Sequence, residues 1–241
     1  SILFFFKNKV PSDIVKINES DIFIYTGGIM EPWVADIINS ITDNTTTIVN
    51  ASKGILGIKD STNNQIIDPH FWLDFMNMIK ITNSIAKAIN LKDPINKEYY
   101  TANIDTYVSQ LNTLIKDFRK GLSKCESNTI IYTGHSAFEY FEKRYGVSFS
   151  TAYGPVPNAE ASAQDIVKLV DQVKKDNIKY IYYEKLVGSQ FAQTLADETG
   201  AIILPLNPVD NITKEEFDSN ATFDSIMRIN LENIKTGLQC Q

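Results

Sequence analysis

Only two imidazoles occur in this 241-residue chain, His70 and His135. His70 sits in "QIIDPHFWLDF", residues 65–75, between a proline and an aromatic pair, with the carboxylates of Asp68 and Asp74 on either side. His135 sits in "YTGHSAFEYF". A neutral imidazole can act as a general base, accept or donate a hydrogen bond, or bind a borderline cation such as zinc. A hydrolytic zinc site would need a helical H-E-x-x-H pair or an identifiable general base beside the histidines, and neither is present. An isolated histidine in a loop is ordinarily a hydrogen-bonded or solvated residue. Two histidines that the fold brings together are a ligand pair, so the elements that carry them decide between the two readings.

Those elements alternate. "SILFFF" (1–6), "DIFIYTGG" (21–28) and "TTIVNAS" (46–52) read as strands, with helices over 11–18 and 30–41 between them. After His70 a helix presents Met76, Ile79, Ile85, Ala86 and Ile89 on one face and stops at "LKDP". Asp93 as N-cap and Pro94 at the first helical position open a long helix with Tyr100, Ile104, Tyr107, Leu111, Leu114, Ile115, Phe118 and Leu122 at three- and four-residue steps. Lys116, Arg119, Lys120 and Gly121 close it. Strands at 128–134, 147–153, 178–184 and 201–206 then alternate with helices at 136–146 and 162–176, one ending at Gly200, and one over 222–238; Ser162 with Asp165 reads as a capping pair. This pattern predicts an α/β fold: two (βα) lobes with mainly parallel sheets, residues 1–92 and 123–241, joined by one rigid helix over 93–122. Ligands of such sheets sit beyond the carboxyl ends of the strands. Both histidines fall in such loops, one on each expected lobe, so they are expected to meet across the cleft.

Composition excludes several classes of function. The chain is 43% hydrophobic and 22% charged, the balance of a globular protein with a sizeable core. No run is long and apolar enough to span a bilayer, and no signal peptide is legible at the start. A formal charge of −6 disfavours nucleic acid and favours cations. Cys125 and Cys240 have no zinc-knuckle spacing and are either a disulfide or two separate thiols. The aromatic run Phe138, Tyr140, Phe141 and Tyr145 reads as core rather than as a base-stacking platform. "KEEF" reads as a solvated face, and Gly27-Gly28 as a tight turn without a phosphate-loop pattern.

"DPHFWLD", "TGHSAFEYFEKRYGV", "EASAQDIVKLVDQVKKDNIKYIYYE", "LADETGAIILPLNPVDNITKEEF" and "MRINLENIKTGL" occur in order over nearly the whole chain. Together they resemble the metal-binding solute-binding proteins of ABC transporters, of the zinc type (cluster A-I). The resemblance implies two lobes bridged by a helix, a divalent cation between them, delivery to a membrane permease, a monomer, and no enzymatic activity. It implies an extracytoplasmic place, either as a lipoprotein at the cell surface, anchored by a lipid outside this chain, or in a periplasm. His70 and His135 match the family's ligating imidazoles, and Asp210 in "NPVD" matches an acid that is glutamate in zinc-type relatives. Glu160 matches an acidic ligand of manganese-type relatives. The chain departs from the pattern at "FFFKNKV", where relatives supply a further histidine, and in "WLDF", where they have proline after the aspartate.

Two imidazoles favour Zn2+, with Mn2+ as the alternative, because oxygen donors suit the harder ion. A closed zinc site wants four ligands, so a carboxylate must join, with water as a fourth. Asp68 and Glu184 are candidate partners that orient the rings, or else a turn former and a polar strand end. Asn207 is nearer the strand end than Asp210, but an amide is a poor zinc ligand and "LNP" is a turn signal. Two other functions stay in view: an adhesin or scaffold with weakened metal binding, and, less favoured, a metallohydrolase.

Overall fold

The computed structural model describes residues 2–3, 11–27, 30–41, 45–59, 67–153 and 163–241. Glu160, Ser162, Gly28 and residues 4–10 lie outside them. The contacts divide the chain into two units, Ser1–Leu56 with Phe75–Asn112, and Gly57–Asp74 with Thr113–Gln241.

The first unit holds a parallel sheet of β1 (Ile2–Leu3), β2 (Ile22–Tyr25) and β3 (Thr47–Asn50), in that order. Alternation along β2 sends Ile22 and Ile24 to one face and Phe23 to the other, and both faces are covered, as a parallel sheet requires. Ile22, Ile24, Val49 and Ala51 pack with Ala88, Ile81, Ile85 and Ile89 of α3 (Phe75–Lys92). Phe23 packs with Ile17 of α1 (Pro11–Asn18) and with Val34 and Ile37 of α2 (Val34–Ser40). Met76, expected on the inner face of α3, is exposed, because the stripe that meets the sheet runs through Ile81, Ile85 and Ala88 instead. The expected long helix begins as a 3-10 turn over Pro94–Asn96 and continues as α4 (Lys97–Gly121). Asp93 does not cap a backbone amide there; its carboxylate accepts from Asn96 Nδ2 and Tyr100 Oη.

The second unit holds a parallel sheet in the order β5-β4-β6-β7, from β4 (Thr129–Tyr132), β5 (Ser148–Thr151), β6 (Tyr180–Tyr183) and β7 (Ile202–Pro205). The chain runs from β4 outward to β5 through α5 (Glu139–Tyr145), then back past β4 to β6 through α6 (Ala163–Lys175), and on to β7 through α7 (Gln190–Thr199). The direction of winding therefore reverses between β4 and β6, the place where an open α/β sheet leaves a crevice beyond its carboxyl ends. One face of the sheet buries Ile131 and Ile181 against Leu169, Val173, Ala192 and Leu195. Phe138, Tyr140 and Phe141 are buried, and Phe138 stacks on Phe149 at 4.5 Å, so the aromatic run is core. "KEEF" forms a short helix, α8 (Lys214–Asp218), opened by a capping box of Thr213 and Glu216. The terminal α9 (Phe223–Gly237) follows, and Cys125 and Cys240 form a disulfide.

Residues 57–59 and 67–74, which the sequence pattern places with the first 92, belong to this second unit. Two contacts explain the attachment: Tyr140 Oη accepts from the Ile58 amide at 3.1 Å, and Arg144 forks onto both oxygens of Asp74, with Nε at 2.9 Å. His70 and His135 thus belong to the same packed unit.

Candidate metal centre

Four loops of the second unit converge on one buried polar cluster. Asp68 and His70 precede a 3-10 turn at Phe71–Leu73; His135 follows β4, Glu184 follows β6, and Asp210 follows β7. His135 and Glu184 thus flank the point where the winding reverses. Gly134 lets the chain turn there: a Cβ at this position would come within 2.4 Å of the Tyr132 ring beneath it.

Each imidazole is held by one carboxylate. Asp68 Oδ1 lies 2.6 Å from His70 Nδ1 and also accepts the His70 amide at 2.9 Å. Glu184 Oε2 lies 2.8 Å from His135 Nδ1 and 3.4 Å from the His135 amide and the Tyr132 hydroxyl. Asp68, His70, His135 and Glu184 are all 5% exposed or less, so these contacts form with little competing water. A carboxylate only accepts, so each Nδ1 carries its hydrogen, and a neutral ring then presents a bare lone pair at Nε2.

The two Nε2 atoms face each other at 3.2 Å. Two lone pairs at that separation repel unless a cation lies between them. Nitrogens about 2.0–2.1 Å from a tetrahedral zinc are about 3.3 Å apart, so the rings already stand at the spacing of two zinc ligands. Asp210 Oδ2 is 3.9 Å from His135 Nε2, and Asp210 Oδ1 is buried without a hydrogen-bond partner among the described residues. An inward shift of roughly half an ångström would bring this carboxylate to ligand spacing. The donor set of two imidazoles and one carboxylate fits zinc, with a fourth position open to water.

Glu184 also offers an oxygen within 4.8 Å of ligand atoms of His135 and Asp210. Its Oε2 is engaged by Nδ1 of His135, which suits Glu184 to holding the ring rather than to meeting the ion. Burial lowers the His135 pKa, but the Glu184 hydrogen bond and the charges of Glu184, Asp210 and Asp68 together outweigh it, and the pKa lies above its ordinary value.

Asn207 is buried in the turn after β7, where its Oδ1 accepts the Val209 amide at 2.8 Å. Its own backbone N–H and C=O pair with the side chain of Asn230 at 3.0 and 2.7 Å. Three residues here have roles that the sequence reading did not assign. Trp72 Nε1 donates to Pro208 O at 2.8 Å, Arg144 holds Asp74, and Asn230 holds Asn207. Only Asn230 left a signal, as a polar residue on the buried stripe of α9 between Ile226, Met227, Leu231 and Ile234.

Known proteins with this fold carry related names. Residues 8–237 match the family model "ZnuA: Zinc-uptake complex component A periplasmic". The high-affinity zinc uptake system protein ZnuA of Bacillus subtilis is 35% identical over 240 residues, covering 95% of this chain and 75% of that protein. The crystal structure of the metal-dependent lipoprotein YcdH from Bacillus subtilis superposes with a TM-score of 0.84 at 36% identity, covering 96% of this chain and 85% of that one. The Zn(II)-bound ZnuA-like domain of Streptococcus pneumoniae AdcA gives 0.82 at 28% identity, with the same coverage. The chain spans only about half, 47%, of the length of the curated Streptococcus pyogenes relatives it matches. With its parallel sheets and nearly its whole length in register with these proteins, the chain belongs to the ZnuA family of zinc-uptake components, whose members are solute-binding proteins and not enzymes.

Proposed function

We propose that this protein captures Zn2+ outside the cytoplasm and hands it to an ABC permease. The observation that carries the reading is the pair of buried imidazoles. Their Nδ1 atoms are taken by carboxylates and their Nε2 atoms face each other at 3.2 Å, the spacing of two ligands on one tetrahedral ion. His70, His135 and Asp210 are the ligands in this reading, and water is the fourth. Asp68 and Glu184 hold the rings so that each Nε2 is aimed at the ion as a donor. Zinc is favoured over manganese because two nitrogen donors and one carboxylate suit the borderline ion. The Zn(II)-bound relative supports the same choice.

An extracytoplasmic place is supported by the family's description as periplasmic, and the disulfide between Cys125 and Cys240 suits an oxidising compartment. Among the described residues no helix is long and apolar enough to cross a membrane. Attachment in this reading is by a lipid, and the working form is a monomer that docks on the permease.

The test is zinc titration of the purified chain against a chromophoric chelator. One equivalent is expected to bind, with more than hundredfold loss in His70→Ala and His135→Ala. Unchanged binding in either variant would remove the reading. The transport half is tested by expression in a bacterial strain that lacks its own zinc-binding component. Growth in zinc-poor medium is expected from the wild type and not from His135→Ala.

A further inference from the structure

We infer that Trp72 is a positioning residue for the Asp210 carboxylate, setting how closely it approaches the two imidazoles. The inference rests on the metal-capture reading above. Trp72 follows His70 by two residues and meets that ring edge-on, centroid to centroid 5.2 Å. The same indole donates its N–H to the Pro208 carbonyl at 2.8 Å, two residues before Asp210. One side chain therefore touches a candidate ligand and the turn that presents another.

That turn is built to be held from outside. Asn230 pins its start at Asn207, and Asn207 Oδ1 takes the Val209 amide. Val209 has φ 59°, a left-handed conformation that a β-branched side chain adopts rarely and against its own steric preference. The peptide between these two fixed points is the one whose carbonyl Trp72 grips. Among the described residues Asp210 has no matching anchor of its own: Oδ1 is buried without a hydrogen-bond partner there, and Oδ2 is 3.9 Å from His135 Nε2. Its place is inherited from the turn. If the Trp72 bond is lost, the strain at Val209 is free to relax and the carboxylate to withdraw.

Trp72→Phe keeps a ring against His70 and removes only the N–H. In the metal-free protein, hydrogen exchange at the Val209 amide is expected to speed up at least fivefold while the melting temperature stays within a few degrees. Zinc dissociation, followed by chelator competition, is expected to be about tenfold faster. In an Asp210→Ala background the same Trp72→Phe change is expected to cost nothing further, because the carboxylate it positions is gone. Val209→Gly takes up the left-handed conformation without strain, so in the double variant Trp72→Phe/Val209→Gly both readouts are expected to return toward wild type. Wild-type exchange and zinc release in Trp72→Phe would overturn the inference, as would an equal loss with and without Asp210 or no return in the double variant. Wild-type protein that takes up no zinc would instead defeat the metal reading itself.

Discussion

Glu184→Gln separates the charge of the carboxylate from its shape. Glutamine fills the same space and can still offer an oxygen to His135 Nδ1–H, which Glu184 now holds at 2.8 Å, so the ring keeps its orientation. What disappears is one negative charge against a buried imidazole. Two consequences oppose each other. The ring becomes a poorer donor to zinc, an effect of about ten- to a hundredfold, or about 1.4–2.7 kcal/mol, when such a partner is lost. It also becomes a poorer base toward the proton. In the wild type the His135 pKa is held above its ordinary value despite burial, with Glu184 as the largest favourable cause. Without that charge the pKa falls.

A proton on His135 competes with the ion. Wild-type affinity should therefore begin to decline as pH falls through a window above 6.5, whereas Glu184→Gln begins its decline at lower pH. Well above the His135 pKa that ring is neutral in both proteins and only its donor strength counts, so the variant binds about ten- to a hundredfold more weakly. As pH falls through the raised His135 pKa of the wild type, the two affinities converge. Isothermal titration with zinc at four pH values would show it. Equal affinities at pH 8, or a gap that widens as pH falls, would refute the assignment of Glu184 to the Nδ1 side of His135.

Asp210→Ala is expected to weaken zinc binding about tenfold or more, and Asn207→Ala by a smaller factor, since Asn207 acts through the turn that its Oδ1 organises; a chelator-competition series ranks them, and the reverse order would be wrong for this site. Glu142 has its pKa raised to about 7, chiefly by burial and then by Glu139, while its Oε1 accepts the Phe149 amide. Its folded pKa exceeds its unfolded value, so the proton it holds favours the fold at low pH, and that contribution is lost as pH rises through about 7. Glu142→Gln should therefore raise the melting temperature of the metal-free protein at pH 8 and leave it unchanged at pH 4.5. Reducing the disulfide, whose cysteines are 115 residues apart, should cost about 4–5 kcal/mol of unfolding free energy by the loop-closure relation, measurable in urea with and without reductant.

The strands and helices were legible because their patterns are local. The continuous apolar run of β2 and the three- and four-residue steps of α4 and α9 need no knowledge of the partner surface. His70 and His135 stood out as the only imidazoles in the sequence, and His135 lies after β4 as the alternation of elements placed it. What sequence could not supply were contacts between distant residues. Arg144 with Asp74, Tyr140 with Ile58 and Trp72 with Pro208 are separated by 70, 82 and 136 residues, and they decide which unit holds His70 and where the Asp210 turn sits. The pairing of Cys125 with Cys240 stayed open for the same reason. The left-handed Val209 carries no signal, since Gly or Asn is the residue expected at such a φ. The capping box at Thr213 and Glu216 was in the sequence, and the charge of "KEEF" hid it.

The measurement that bears most directly on the whole account is zinc-edge anomalous diffraction from crystals grown with one equivalent of zinc. The account predicts a single peak about 2.0–2.1 Å from Nε2 of both His70 and His135, with an Asp210 oxygen drawn in to about 2.0–2.2 Å and Glu184 still on Nδ1. A peak bound at Nδ1 of either ring, a peak away from these residues, or no peak at all would contradict it.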